Sequence, residues 1–373
     1  MQSDSIVYKF YYQWWKNIDK SIFLLISLLF IIGLFFSLVS TSLIASDKLD
    51  TNSYFFFFKH LIYVLIGISL IFIFSSLNSD QLYKYSIFLF FISLISLFLV
   101  PFVGVEVKGS KRWIDLFFLP RFQPIEVLKP FLIIILATIL CDIKSNILFK
   151  YLISIFLISF ISLLLIAQPD IGQTLLVIFC WAVLIFTSGI NIYILLAIFI
   201  AGASLLAYLI IFVPKFDYIQ GRIFSFFNRE TGTHNFQSDK AIESITSGGF
   251  FGKGIGEGVL KNRVPEAHTD YIISVISEEF GVVAIMLILL LFLILIYMVF
   301  KKISFETNDK VKLILIGSIS LILMQATIHV GVNIRLFPTT GMTLPFLSYG
   351  GSSIISTSIL GGIILNLTKR KIT

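Results

Sequence analysis

The sequence predicts an all-α integral membrane protein, a bundle of ten transmembrane helices with one long outer loop between helices 7 and 8. Three observations lead there. Of 373 residues, 57% are hydrophobic and only 13% are charged. The mean hydropathy of +0.98 exceeds what a soluble globular domain can solvate. Apolar runs suited to helices of about 20 residues, crossing a bilayer about 30 Å thick, recur along almost the whole length. Length alone would suggest two or three soluble domains, but the spans consume it, so residues 1–373 read as a single polytopic domain.

The elements follow in order. Residues 1–20 mix Tyr8, Phe10, Tyr11, Tyr12, Trp14 and Trp15 with Lys9, Lys16 and Lys20, a composition suited to a headgroup interface, and read as a cytoplasmic interfacial segment. The run over 21–43 is too long for a signal-peptide core and is followed by further spans, so it is a retained first helix. Apolar runs near 54–77, 85–104, 125–141, 151–167, 174–189, 191–213, 270–300, 312–336 and 349–367 complete the ten. An even number with a basic start and a basic tail (Lys369, Arg370, Lys371) puts both termini in the cytoplasm.

Charge alone does not prove that orientation. Lysine and arginine number 13 on the cytoplasmic side and 12 outside, because the second and fourth outer loops break the positive-inside expectation. Those cations serve solubility, or they form a basic mouth that attracts an anionic group such as a lipid diphosphate. No nucleic-acid partner is expected. Cys141 and Cys180 lie in or at the end of apolar runs and read as core packing rather than a disulfide. His60, His234, His268 and His329 have no metal-ligand spacing, so no cofactor is required, although a divalent cation, magnesium or manganese, is compatible with the chemistry below.

Four blocks carry polar residues into this apolar background. Residues 109–130 read G-S-K-R-W-I-D-L-F-F-L-P-R-F-Q-P-I-E-V-L-K-P. Glu126 and Lys129, three apart on one helix, either form a structural ion pair or leave Lys129 to join Lys111, Arg112 and Arg121 as a cationic shelf for diphosphate oxygens. The second block, A-Q-P-D-I-G-Q with Asp170, makes a tight outer turn, with either a purely structural role or a place in the substrate site. The long outer loop, 214–269, exceeds the usual length of a structureless connector, which favours a functional loop. Its glycine run over 247–258 fits neither the P-loop nor the dinucleotide spacing and reads as backbone that packs or moves over a cavity. The last block, 337–353, reads F-P-T-T-G-M-T-L-P-F-L-S-Y-G-G-S-S and includes Ser348. Irregular backbone of that kind at membrane depth has to dip into the bundle, for close packing or for substrate.

The centre of the pattern is V-P-E-A-H-T-D-Y-I-I-S-V-I-S-E-E-F-G over 264–281. On a helix starting near Asp270, residues Ser274, Ser277, Glu278 and Gly281 fall within about a quarter turn of one direction. Lipid offers such a stripe no partner, so it is expected to line a cavity. Asp270 could cap that helix or act as a base, and His268 could orient it or contact a sugar. Glu278, about 12 Å further along, is expected to pair with a buried donor on a neighbouring span.

Taken together, K-R-W with Q-P-x-E-x-x-K, Q-P-D-x-G, P-E-A-H-T-D with E-E-F-G, and L-P-F-x-S-Y-G-G-S resemble the SEDS family (shape, elongation, division and sporulation) over nearly the whole chain. The resemblance implies a SEDS-type bundle and a glycosyltransferase that polymerises lipid II, the undecaprenyl-diphosphate-linked disaccharide peptide, into peptidoglycan strands. It implies a place in the bacterial inner membrane at the division septum, with a class B penicillin-binding protein (an FtsI-like transpeptidase) and other divisome proteins as partners. The P-E-A-H-T-D wording favours the division branch, since the elongation branch typically has arginine where Ala267 stands. The family's essential aspartate maps onto Asp270 and its paired charges onto Glu126 and Lys129, while Ile125 replaces a frequent serine. Asp270 would then take the hydroxyl proton as the sugar attacks and the diphosphate leaves, a role typically worth about 10² to 10⁴ in rate. A lipid II flippase and an elongation-type polymerase are the alternatives.

Overall fold

The computed structural model describes residues 11–41, 54–107, 110–116, 119–142, 146–228, 236–260 and 264–369. The first ten residues of the interfacial segment, Lys108, Lys261, Arg263 and the tail residues Arg370 and Lys371 lie outside them. A short helix α1 (11–17) leads into α2 (Lys20–Thr41), α3 (Phe55–Ser76) and α4 (Ser79–Val103). After a small sheet come α5 (Pro124–Leu140), α6 (Ile147–Ala167), α7 (Ile171–Thr187) and α8 (Ile192–Phe212). The long loop carries α9 (Asp217–Asn228) and α10 (Phe236–Gly248). The chain then closes with α11 (Ile272–Phe305), α12 (Asp309–Asn333) and α13 (Gly351–Leu367).

A helix therefore lies at each of the ten predicted apolar runs. Seven of them are long and apolar enough to cross a membrane, and α7 and α13, at 17 residues, are shorter apolar helices. The protein is a multi-pass helical membrane protein. Burial sorts the helices into an inside and an outside. Along α5, α12 and α13 most residues are buried, whereas α8 buries only Leu195, as expected of a helix whose surroundings are lipid. The main packing partner of α13 is α3, and α12 packs against α7 and α5.

The loop between α4 and α5 departs from the all-helical expectation. It folds as a three-stranded antiparallel sheet of β1 (Val105–Val107), β2 (Ser110–Leu116) and β3 (Leu119–Phe122), with Glu106 opposite Lys111 and Ile114 opposite Phe122. Alternation in S-K-R-W-I-D-L carries the strand signal: Ile114 is buried while Lys111 and Asp115 are exposed.

The polar stripe of 264–281 also differs from its expected setting. It begins at Ile272, and it packs against α10 rather than lining open space. Ser244 Oγ donates to the Ser274 carbonyl (3.1 Å) and to Glu278 Oε2 (3.0 Å), and Ser277 Oγ donates to the Ile245 carbonyl (3.3 Å). Glu278 is fully buried, and Ser244, Val259, Leu260 and Lys253 of the long loop are among its partners. Its Oε1 accepts from the Val259 and Leu260 N–H groups (3.0 and 2.9 Å) and faces Lys253 Nζ at 3.5 Å.

The glycine run explains how the loop reaches it. At Gly281 the helix breaks, with φ 77° and ψ 179°, which frees backbone groups on both sides. The loop satisfies them: Lys253 and Gly254 donate to the Glu278 and Glu279 carbonyls (2.8 and 3.0 Å), and Val282 and Val283 donate to the Gly249 and Phe250 carbonyls (3.0 and 3.3 Å). A Cβ on Gly281 would stand 2.1 Å from the Phe250 oxygen, and one on Gly252 2.2 Å from the Glu279 oxygen. Beyond the break, 282–305 rises about 36 Å, enough to cross the bilayer. Gly281→Ala combines a strained positive φ, costing about 1–3 kcal/mol, with that backbone collision. Its expected outcome is faster limited proteolysis within 249–260 and a lower thermal midpoint.

Candidate functional site

A buried ion pair comes from α5. Pro124 starts that helix, where its missing N–H is harmless, and Glu126 and Lys129 follow one turn apart, 4% and 2% exposed. Lys129 Nζ donates to Glu126 Oε1 (2.9 Å) and to Gln325 Oε1 of α12 (3.2 Å). Gln173 Nε2 of α7 donates to the same Glu126 oxygen. Gln325 Nε2 continues to the Thr343 carbonyl (3.0 Å) and Ser353 Oγ (3.4 Å), and Thr343 Oγ1 donates to Ser353 Oγ (2.7 Å). Lys129 thus sits within the bundle and belongs to no surface shelf.

The Q-P-D turn is the second centre. Asp170 caps α7, accepting from the Gln173 N–H (3.3 Å) and from Gln123 Nε2 (2.8 Å). Arg112 reaches from β2 to donate to the Gln168 carbonyl (3.2 Å) and the Pro169 carbonyl, with its Nη1 3.8 Å from Asp170 Oδ1. Burial pushes the Asp170 carboxyl above the usual carboxylate range, and the Arg112 guanidinium opposes that shift. Two of the four proposed shelf cations are therefore internally engaged. The other two are exposed on the sheet: Lys111 stands opposite Glu106, and Arg121 Nε donates to Asp115 Oδ2 (2.9 Å). The structure does not bring all four together.

Asp270, partly buried, lies where the long loop, the start of α11, the end of α12 and the loop before α13 meet. Tyr271 rather than Asp270 is the N-cap of α11. Asn333 Nδ2 holds the Asp270 carbonyl (3.0 Å), and a Cβ on Gly341 would stand 3.6 Å from Asp270 Oδ2. Burial and the Asp270 charge push the Tyr271 phenol up to about 12. The carbonyl of His268 accepts from the Tyr349 N–H (3.1 Å), and its ring lies 4.4 Å from that of Phe56. The loop before α13 dips into the bundle: Met342, Leu344, Phe346 and Leu347 are buried, and Phe346 packs edge-on against Phe30 at 5.4 Å. Ser348, buried as well, accepts the Leu344 N–H (2.9 Å) and closes that loop's turn.

One polar run escaped the sequence reading. Gln325, His329 and Asn333 stand at i, i+4 and i+8 on α12, on one face, and all three are buried. The spacing rule applied around Asp270 would have found them. His329 Nδ1 bonds the Met342 carbonyl (2.7 Å), and Asn333 Nδ2 also donates to the His329 carbonyl (2.8 Å). Glu126 Oε2, Gln173 Oε1, His329 Nε2, Asn333 Oδ1 and Thr340 Oγ1 are buried with no hydrogen-bond partner among the described residues. Thr340 abuts Gly172, so these atoms flank the short segment 340–343 that links Asp270 to the α5 pair. Buried polar atoms of this kind suit a site that takes a polar ligand.

A multi-pass bundle whose buried polar groups converge toward one membrane face is the class defined here. The chain belongs to the family that groups FtsW, RodA and SpoVE, whose sequence model, described as "Cell cycle protein", matches residues 19–372. A Caulobacter vibrioides protein named probable peptidoglycan glycosyltransferase FtsW is 31% identical over 362 residues, covering 96% of this chain and 91% of its own. The Haemophilus influenzae protein of that name is 32% identical over 360 residues, covering 94% and 90%. A solved chain from work on the structural coordination of polymerization and crosslinking by a peptidoglycan synthase complex matches with a TM-score of 0.77 at 26% identity, covering 94% of this chain and 97% of that one. The crystal structure of Thermus thermophilus rod shape determining protein RodA matches with a TM-score of 0.69 at 27% identity, covering 94% and 96%.

Removing one member of the α5 pair tests its structural part. Lys129→Met leaves Glu126 buried without its cation and is expected to cost about 3–5 kcal/mol, read as a lower thermal midpoint in detergent. Adding Glu126→Gln to Lys129→Met is expected to recover part of that loss.

Proposed function

We propose that this chain is a division-type peptidoglycan glycosyltransferase that polymerises lipid II, with Asp270 as general base. Family membership and the names of its relatives support the reaction class. One observation carries the assignment to Asp270. Its carboxylate borders segment 340–343, which is flanked by buried polar atoms without partners among the described residues, and its backbone is held by Asn333.

In this reading a sugar hydroxyl of one substrate attacks the anomeric carbon of the other in a single, inverting displacement. Asp270 takes the hydroxyl proton, and the C–O bond to the lipid diphosphate breaks. Of the four shelf cations, Lys111 and Arg121, exposed on the sheet, are the two that meet the diphosphate in this reading. Arg112, Asp170, Gln123 and Lys129 position the surrounding helices. A divalent cation, magnesium or manganese, would bridge the diphosphate oxygens and neutralise the charge that develops on them. The same reading takes all ten helices as spans, places both termini in the cytoplasm and the enzyme at the septum, and pairs it with a class B transpeptidase.

Purified Asp270→Asn is expected to lose at least about 10² in the rate of glycan polymerisation from lipid II with its thermal midpoint unchanged. A variant as active as the wild type would sink the base assignment. Transport of lipid II across vesicles without any polymer would favour the flippase alternative.

A further inference from the structure

The membrane face opposite Asp270 carries a cavity of about 890 Å³. It opens between the C-terminal ends of α5 and α7, the start of α6 and the first turns of α12. Since α11 runs from beside Asp270 to Phe305 and passes to α12 through 306–308, the two sites are separated by the length of a spanning helix. The volume lies in the range of ligand sites, about 300–1,000 Å³. Nothing in the polymerisation chemistry uses it.

Its lining has a sign. Lys150, Lys310 and Lys312 line it, against Asp142 and Asp309. Asp309 is 83% exposed and already bonded to Lys312 Nζ (3.1 Å). The ammonium of Lys310 sits 3.7 Å from the centre of the Tyr83 ring, which fixes its position while an ammonium keeps further N–H donors. The hydroxyls of Thr138, Thr187 and Ser188 give their protons to helix carbonyls (2.7, 2.8 and 2.7 Å), so the charged donors for a ligand are the lysines, with the Asn308 amide beside them. A group that accepts several N–H bonds and carries negative charge suits ammonium groups that outnumber the lining carboxylates three to two, and phosphate is the common group that does both.

The neighbouring surface narrows the choice further. Ile147, Leu148 and Phe149, immediately before Lys150, are 68%, 65% and 56% exposed, and Phe186, at the end of α7, is 56% exposed. Large apolar side chains beside a cationic cavity at the end of spanning helices fit a molecule with both a phosphate and acyl chains. We propose that this cavity binds the phosphate headgroup of an anionic membrane lipid.

Cys141 lines the cavity and is partly buried, whereas Cys180 is buried, so alkylation of Cys141 reports occupancy. In mixed micelles phosphatidylglycerol is expected to slow alkylation of the full chain at least about fivefold relative to phosphatidylcholine. The triple variant Lys150→Gln/Lys310→Gln/Lys312→Gln is expected to lose that protection. Its Lys→Arg counterpart is expected to keep it, as is Lys301→Gln, at the same membrane face but outside the cavity. Equal alkylation in the two lipids for the wild-type chain would overturn the site. Full protection by inorganic phosphate alone, with no further effect of phosphatidylglycerol, would overturn the lipid as its occupant in favour of soluble phosphate.

Discussion

The constraint on which the bundle depends is the buried charge pair of Glu126 and Lys129. Isolated in a low-dielectric interior, each would cost several kcal/mol, and their mutual attraction offsets this only where further hydrogen bonds complete the shell. That shell comes from three other parts of the chain: Gln173 on α7, Gln325 on α12, and Thr343 with Ser353 at the approach to α13. Satisfying one ion pair therefore fixes the relative placement of α5, α7, α12 and α13. Apolar packing alone constrains this less, since many greasy helix faces can slide against one another.

A second buried carboxylate organises the long loop by the same logic. Glu278 is compensated by Ser244, by two backbone N–H groups and by Lys253, all from 236–260. With the backbone pairing at the Gly281 break, α10, the glycine run and the first turns of α11 become one unit. Arg335, just after α12, pairs with Asp239 of α10 and ties that unit to the helix that carries Asn333. Asp270 stands at the junction, so its position depends on the partners of two buried acids, Glu126 and Glu278.

The two faces of the molecule differ in kind. Toward Asp270, Arg112 and Asp170 are internal and committed to protein partners, while Lys111 and Arg121 stay exposed on the sheet. At the opposite face three lysines and two aspartates line an open cavity, with Lys312 paired to Asp309.

Most helices, and the four polar blocks, were legible in the sequence because membrane burial imposes simple rules. A span must be apolar for about 20 residues, and charge within one demands a partner. Partner identity was not legible. Lys129 and Arg112 looked like ligands for diphosphate, because a cation in sequence carries no sign of which oxygen it will meet. The polar stripe of α11 points to a cavity, yet the loop helix α10, 23 residues before it, covers it and packs beside a helix break marked by Gly281. Gln325, His329 and Asn333 had the required spacing and went unread because none carries a formal charge. The sequence by itself determined the membrane fold class, the order of the spans and the polar blocks, since those follow from local composition and period. Only the tertiary structure decided which polar groups satisfy one another and which are left to face a ligand, since hydrogen-bond partners here lie tens to hundreds of residues apart.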